Sequence, residues 1–103
     1  MEYTPSNPIN CCIFSGLLVE FKCSVVGEGK YNLGKGILSL PDLEFQSVGQ
    51  QIKIMCWEEV ALRLQEVPLN SWIKVLSCYS PSEFRGKLQD QFTVTNFQVL
   101  RNA

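Results

Sequence analysis

The sequence predicts an all-β barrel of five strands with one short helix, in the order β-β-β-α-β-β. Three observations predict it. Runs rich in β-branched and aromatic residues alternate apolar with polar positions over much of the chain. A single stretch, residues 58–67, switches to the helical period instead. Connections carrying Gly, Pro, Asn or Ser separate the runs. With 103 residues, 46% hydrophobic and 18% charged, the chain fits one domain large enough for a cooperative core.

Residues 1–8 hold two prolines among small polar groups and are expected as an extended N-terminal arm, with the folded domain over 9–101. Residues 9–21 form an apolar run too rich in β-formers to be a good helix. Gly16 breaks it and predicts a bulge or bend, which a long first strand needs if it is to join both halves of a closed sheet. Residues 22–34, with three glycines plus Lys30, Tyr31 and Asn32, read as the hairpin connection after that strand. Residues 35–40 (KGILSL) form the second strand, stopped by Pro41-Asp42, and 42–50 a polar connection.

Residues 51–57 alternate with period two. Ile52, Ile54 and Cys56 share the face expected in the core, and Gln51, Lys53, Met55 and Trp57 share the other. The helix at 58–67 aligns Val60, Ala61, Leu64 and Val67, carries Glu58 and Glu59 beside its positive end, and stops at Pro68. Residues 72–79 (WIKVLSCY) make the fourth strand, 80–89 a loop with Pro81 and Gly86, and 90–100 the fifth strand. A lone helix between the third and fourth strands is the order of the OB-fold, a five-stranded Greek-key barrel. An SH3-like barrel, the main competitor, has no place for an amphipathic helix there.

Net charge is −1 and the pI about 5.3, which argues against coating duplex DNA by bulk electrostatics. What matters is where the cations lie. Lys22, Lys30, Lys35, Arg85 and Lys87 fall in or beside the two hairpin connections that flank an OB groove, and Lys53 falls on the outward face of the third strand. Glu58, Glu59 and Glu66 on the helix are expected to point away from that groove. Single-strand binders combine such cations with aromatic platforms on which bases stack. Trp57 is the foremost platform, beside Lys53 and Met55; the competing role is a cap on the barrel or helix start. Tyr31 and Phe84, aromatics in the two connections, are further candidates, and Trp72 fits a dimer contact or barrel cap equally well.

Catalysis has no residues to run on. The chain has no histidine to act as base, and Glu58 and Glu59 diverge as helix neighbours do. Residues 29–35 spell the letters of a phosphate-binding loop, but Gly36 stands where Ser or Thr is needed and the run leads into a strand. The cysteines, Cys11, Cys12, Cys23, Cys56 and Cys78, include no Cys-x-x-Cys pair, so neither metal nor cofactor is expected. Four of the five lie in apolar runs, and the N-terminus lacks a secretion signal. Both point to a reducing, intracellular setting, cytoplasmic (nucleoid) or organellar, with no membrane contact.

Three stretches resemble the bacterial and organellar single-stranded DNA-binding proteins. Residues 10–18 (NCCIFSGLL) are similar to that family's opening strand, an Asn followed by apolar residues and Gly-x-Leu. Residues 52–61 (IKIMCWEEVA) resemble its third strand, which ends in an aromatic and runs into a helix with an Ala. Residues 72–75 with 92–94 resemble its closing hairpin. The family places glycine directly after the aromatic, where this chain has Glu58, and another before the fourth-strand Val, where it has Ser71 or Trp72. Its Gly-Arg-Leu is replaced by Ser77-Cys78-Tyr79, and its acidic-tipped tail is not seen. In that respect the chain is similar to the short primosomal replication protein N group. The resemblance implies single-stranded DNA binding, or RNA, in replication, repair or recombination. It also implies stacking on Trp57 and a homo-oligomer, dimer or tetramer, with replication or repair proteins as partners. The alternative is an OB-fold scaffold subunit of a nucleic-acid-processing complex that works through protein contacts.

Overall fold

The computed structural model describes residues 11–42 and 47–103. The expected arm at 1–8 lies outside the described residues. Eight elements follow in order: β1 (Cys11–Val26), β2 (Tyr31–Asp42), β3 (Ser47–Trp57), α1 (Glu58–Gln65), β4 (Trp72–Tyr79), β5 (Ser82–Phe84), β6 (Lys87–Gln89) and β7 (Phe92–Arg101). The five long strands close a barrel in the order β1-β2-β3-β7-β4, with β5 and β6 as a separate two-stranded hairpin. All neighbours are antiparallel except β3 and β7, which pair in parallel at Ile54–Phe92 and Met55–Thr93. This is the five-stranded OB-fold barrel.

β1 closes the barrel because it is long enough to serve two partners. Its first half pairs with β4, from Cys11–Cys78 to Leu17–Trp72, and its second half with β2, from Leu17–Ser39 to Val26–Tyr31. Gly16 sits at that handover for a reason other than a bulge. A Cβ there would overlap the Ser39 carbonyl oxygen and come within 3.0 Å of Leu40 Cδ2, so the glycine permits close approach of β2. The bulge itself falls two residues later, between Leu18 and Glu20. It resets the alternation, so that Leu18 and Phe21 both face inward although three residues apart. Leu18 keeps both backbone bonds there: its N–H donates to Ser71 O (3.0 Å), and its carbonyl accepts from Asn70 N (2.7 Å).

The first connection is shorter than expected. β1 and β2 extend to leave only residues 27–30, where Gly27, Glu28 and Gly29 take positive φ of 65°, 61° and 83°. Pro41 does not end β2; it is absorbed at a register shift between Leu40 and Asp42, the position in a ladder where a missing N–H costs least. Within the segment expected as a plain loop, Arg85 and Gly86 form a tight turn with φ 52° and 77° and fold β5 onto β6. The helix stops at Gln65, and a tightened turn with Val67 N–H on Leu64 O (3.1 Å) leads to Pro68.

Leu18, Leu38, Ile52, Ile54, Cys56, Ala61, Leu64, Ile73, Val75 and Val94 form the core. The expected inward trio of β3 is in it. Ala61 and Leu64 form the buried side of α1 in this core, and Phe92 meets the rings of Phe14 and Tyr79 with centroids 4.9 and 5.4 Å apart. Among the described residues no helix is long and apolar enough to cross a membrane.

Candidate functional site

Three strands present one continuous outward face. Side chains directly opposite in a sheet share a side, so register alone lays out its rows. Ser24, Leu33 and Trp57 form the first, Lys22, Lys35 and Met55 the second, and Glu20, Ile37 and Lys53 the third. The Leu18–Glu20 bulge is what brings Lys22 into this set; without it, Lys22 would share a phase with buried Leu18. The expectation that Lys22 and Tyr31 belong to a loop is therefore corrected. Lys22 lies within β1, and Tyr31 opens β2 on the same side as Leu33 and Lys35.

Trp57 ends β3 with 42% of its surface exposed, and Tyr31 is 53% exposed. Neither ring is sealed in the core. Lys22 stands directly opposite Lys35, a like-charge cross-strand pair that weakens the sheet unless an anion joins it. Lys53 is exposed and donates through Nζ to Gln89 Oε1 at 3.3 Å. Met55, half-buried, accepts a contact from Gln91 Nε2 at its sulfur.

Those two contacts dock the foot of the β5–β6 hairpin against β3. The result is a groove between hairpin and face, lined among others by Glu20, Lys35, Ile37, Lys53, Glu83 and Gln89. Arg85 and Lys87 do not line it. They sit at or beside the hairpin tip, as Lys30 sits at the tip of the 27–30 turn. Phe84 is placed by its backbone alone, paired with Lys87.

Sequence reading missed the groove's polar lining. Glu20, Glu83, Gln89 and Gln91 carry no local signal, because only the docking of the hairpin brings them to β3. Glu58 also departs from expectation. Its carboxylate turns back to the face and accepts from Asn32 N at 2.9 Å, continuing the β2 ladder past the end of β3. To do so Glu58 takes φ 52°, a left-handed conformation that glycine reaches more cheaply. Trp72 pairs with Leu17 and Arg101 on a different part of the wall and is half-buried.

The arrangement offers stacking surface, point cations and hydrogen-bonding amides. Among the described residues no cluster of three potential metal ligands occurs.

No protein-family model matches the chain, and no curated protein matches its sequence. Solved structures share its fold. The SSB domain of a Synechococcus sp. protein aligns with a TM-score of 0.72 at 20% identity, over 86% of this chain and 93% of that one. The mitochondrial single-stranded DNA binding protein Rim1 from S. cerevisiae gives a TM-score of 0.72 at 11% identity, over 91% and 96%. The dimeric N-terminal domain of PriB protein from Thermoanaerobacter tencongensis gives 0.69 at 14% identity, over 90% and 98%. At these identities the likeness is one of fold.

Proposed function

We propose that this chain is a binding module for single-stranded nucleic acid, DNA in the first instance, working inside the cell in replication, repair or recombination. One observation carries the reading: an exposed indole, Trp57, shares a face with Lys22, Lys35 and Lys53, two of them directly opposed. A base stacked on the indole would leave its phosphates near the lysine row, and those phosphates would relieve the Lys22–Lys35 repulsion. Tyr31 supplies a second platform on the same face, and Lys30, Arg85 and Lys87 extend the positive charge along the hairpin tips. Phe84 stays in the proposal as a third aromatic. The SSB and single-stranded DNA-binding neighbours support the ligand class, and the dimeric PriB domain supports a homo-oligomer.

The test is titration of the Trp57→Ala protein with oligo-dT, followed by anisotropy of a labelled strand. Stacking on one ring is worth about 1–3 kcal/mol, so affinity should fall about tenfold with the fold intact by circular dichroism. Unchanged affinity would remove the indole from the interface and leave the scaffold reading in its place.

A further inference from the structure

Away from the lysine face, register brings two thiols together. Cys11 opens β1 and Cys78 lies near the end of β4, and the two are directly opposite across the antiparallel pair. Opposed Cα atoms in such a ladder stand about 4.5 or 5.5 Å apart, depending on the hydrogen-bonding phase. Both values lie within the range a disulfide spans without backbone movement. Both thiols are free, Cys11 exposed and Cys78 half-buried.

The remaining cysteines are placed otherwise. Cys12 is opposite Ser77, whose hydroxyl donates to the Cys12 carbonyl at 3.0 Å, and alternation turns its side chain to the other side of the sheet. Cys56 is fully buried, and burial, with Cys23 nearby, pushes its thiol up to about 12, so it stays protonated and inert.

We infer that Cys11 and Cys78 form a thiol–disulfide modification site whose co-reactant is a low-molecular-weight disulfide of the glutathione type. The exposed Cys11 thiolate attacks one sulfur of oxidised glutathione, forming a mixed disulfide and expelling one glutathione thiolate. The Cys78 thiolate then attacks the Cys11 sulfur and expels the second. Two protein thiols lose two electrons, and one oxidised glutathione becomes two reduced ones. The bridge ties the opening of β1 to β4 and leaves the Trp57 face untouched. It closes most of the chain into a loop, the case in which a cross-link removes most freedom from the unfolded state.

Incubation of the full chain with oxidised glutathione, followed by peptide mapping, tests this. The expected product has lost two hydrogens in mass and yields a single linked peptide pair joining Cys11 to Cys78. Its thermal midpoint should rise by about 10–20 °C and return on reduction. In Cys78→Ser the reaction should halt at a stable glutathione adduct on Cys11. A persistent adduct on Cys11 in the unsubstituted protein would overturn the inference. So would a bridge through Cys12 or Cys23, or a covalent Cys11–Cys11 dimer.

Discussion

Replacing Glu58 separately by Ala and by Gly should reverse the stability order found within ordinary helices. Glu58 holds φ at 52°, where an L-residue is strained by about 1–2 kcal/mol. Its carboxylate offsets part of that through the bond from Asn32 N–H at 2.9 Å, worth about 1 kcal/mol at an exposed position. Ala keeps the strain and loses the bond, so Glu58→Ala should destabilise by about 1 kcal/mol. Gly loses the bond but releases the strain. Against this stands the extra freedom of glycine in the unfolded chain, about 0.5–1 kcal/mol. Glu58→Gly should therefore be the more stable of the two by about 0.5–1 kcal/mol and lie close to the parent protein. In a helix interior Ala leads Gly by about 1 kcal/mol, so the sign itself is diagnostic. Urea unfolding followed by tryptophan fluorescence would show the order as a shift in midpoint at constant slope. An Ala variant more stable than the Gly variant would refute the strain, and an Ala variant as stable as the parent would refute the compensation by the Asn32 bond.

Three further outcomes follow from the same geometry. Gly16→Ala forces a methyl against the Ser39 carbonyl and Leu40 at the handover of β1, and should destabilise by about 1–3 kcal/mol; an unshifted thermal midpoint would show that the strands yield freely. Lys35→Ala and Lys53→Ala should each lower oligonucleotide affinity and flatten the plot of log affinity against log salt by about 0.7, as loss of one phosphate contact predicts; an unchanged slope would take that lysine off the strand's path. Tyr79 donates to Asp90 Oδ1 at 2.6 Å, and this bond, with burial and the nearby carboxylate charge, raises the phenol above its ordinary value of 10.0. Because the folded pKa lies above the unfolded one, the contribution is complete below pH 10 and is lost as pH climbs through the raised value. Absorbance titration should show a tyrosine step above the ordinary phenol value of 10.0, and Tyr79→Phe should abolish that step.

Much of this molecule was legible locally. Alternation in β3 sent Ile52, Ile54 and Cys56 inward and Lys53 and Trp57 outward, because side-chain direction in a strand repeats every two residues whatever the strand meets. The helix declared itself through a change of period, and its place between the third and fourth strands specified the barrel. Element ends were less legible. The glycines and polar residues of 22–34 looked like a loop, yet 22–26 and 31–34 lie in two strands whose pairing extends to the turn at 27–30.

Three features depended on contacts between distant residues. The β1 bulge at Leu18–Glu20 forms where the chain leaves β4, with Asn70 and Ser71 satisfying Leu18, and its one-residue phase change decides that Lys22 joins Lys35 on the outer face. Glu58 breaks its expected orientation because the Asn32 N–H lies beyond the end of β3 and takes the Glu58 carboxylate as its acceptor. Gln89 and Gln91 enter the groove only through Lys53 and Met55, more than thirty residues away. Period is a property of neighbours in the chain, whereas phase, strain and docking are settled by whichever partners the closed sheet brings alongside.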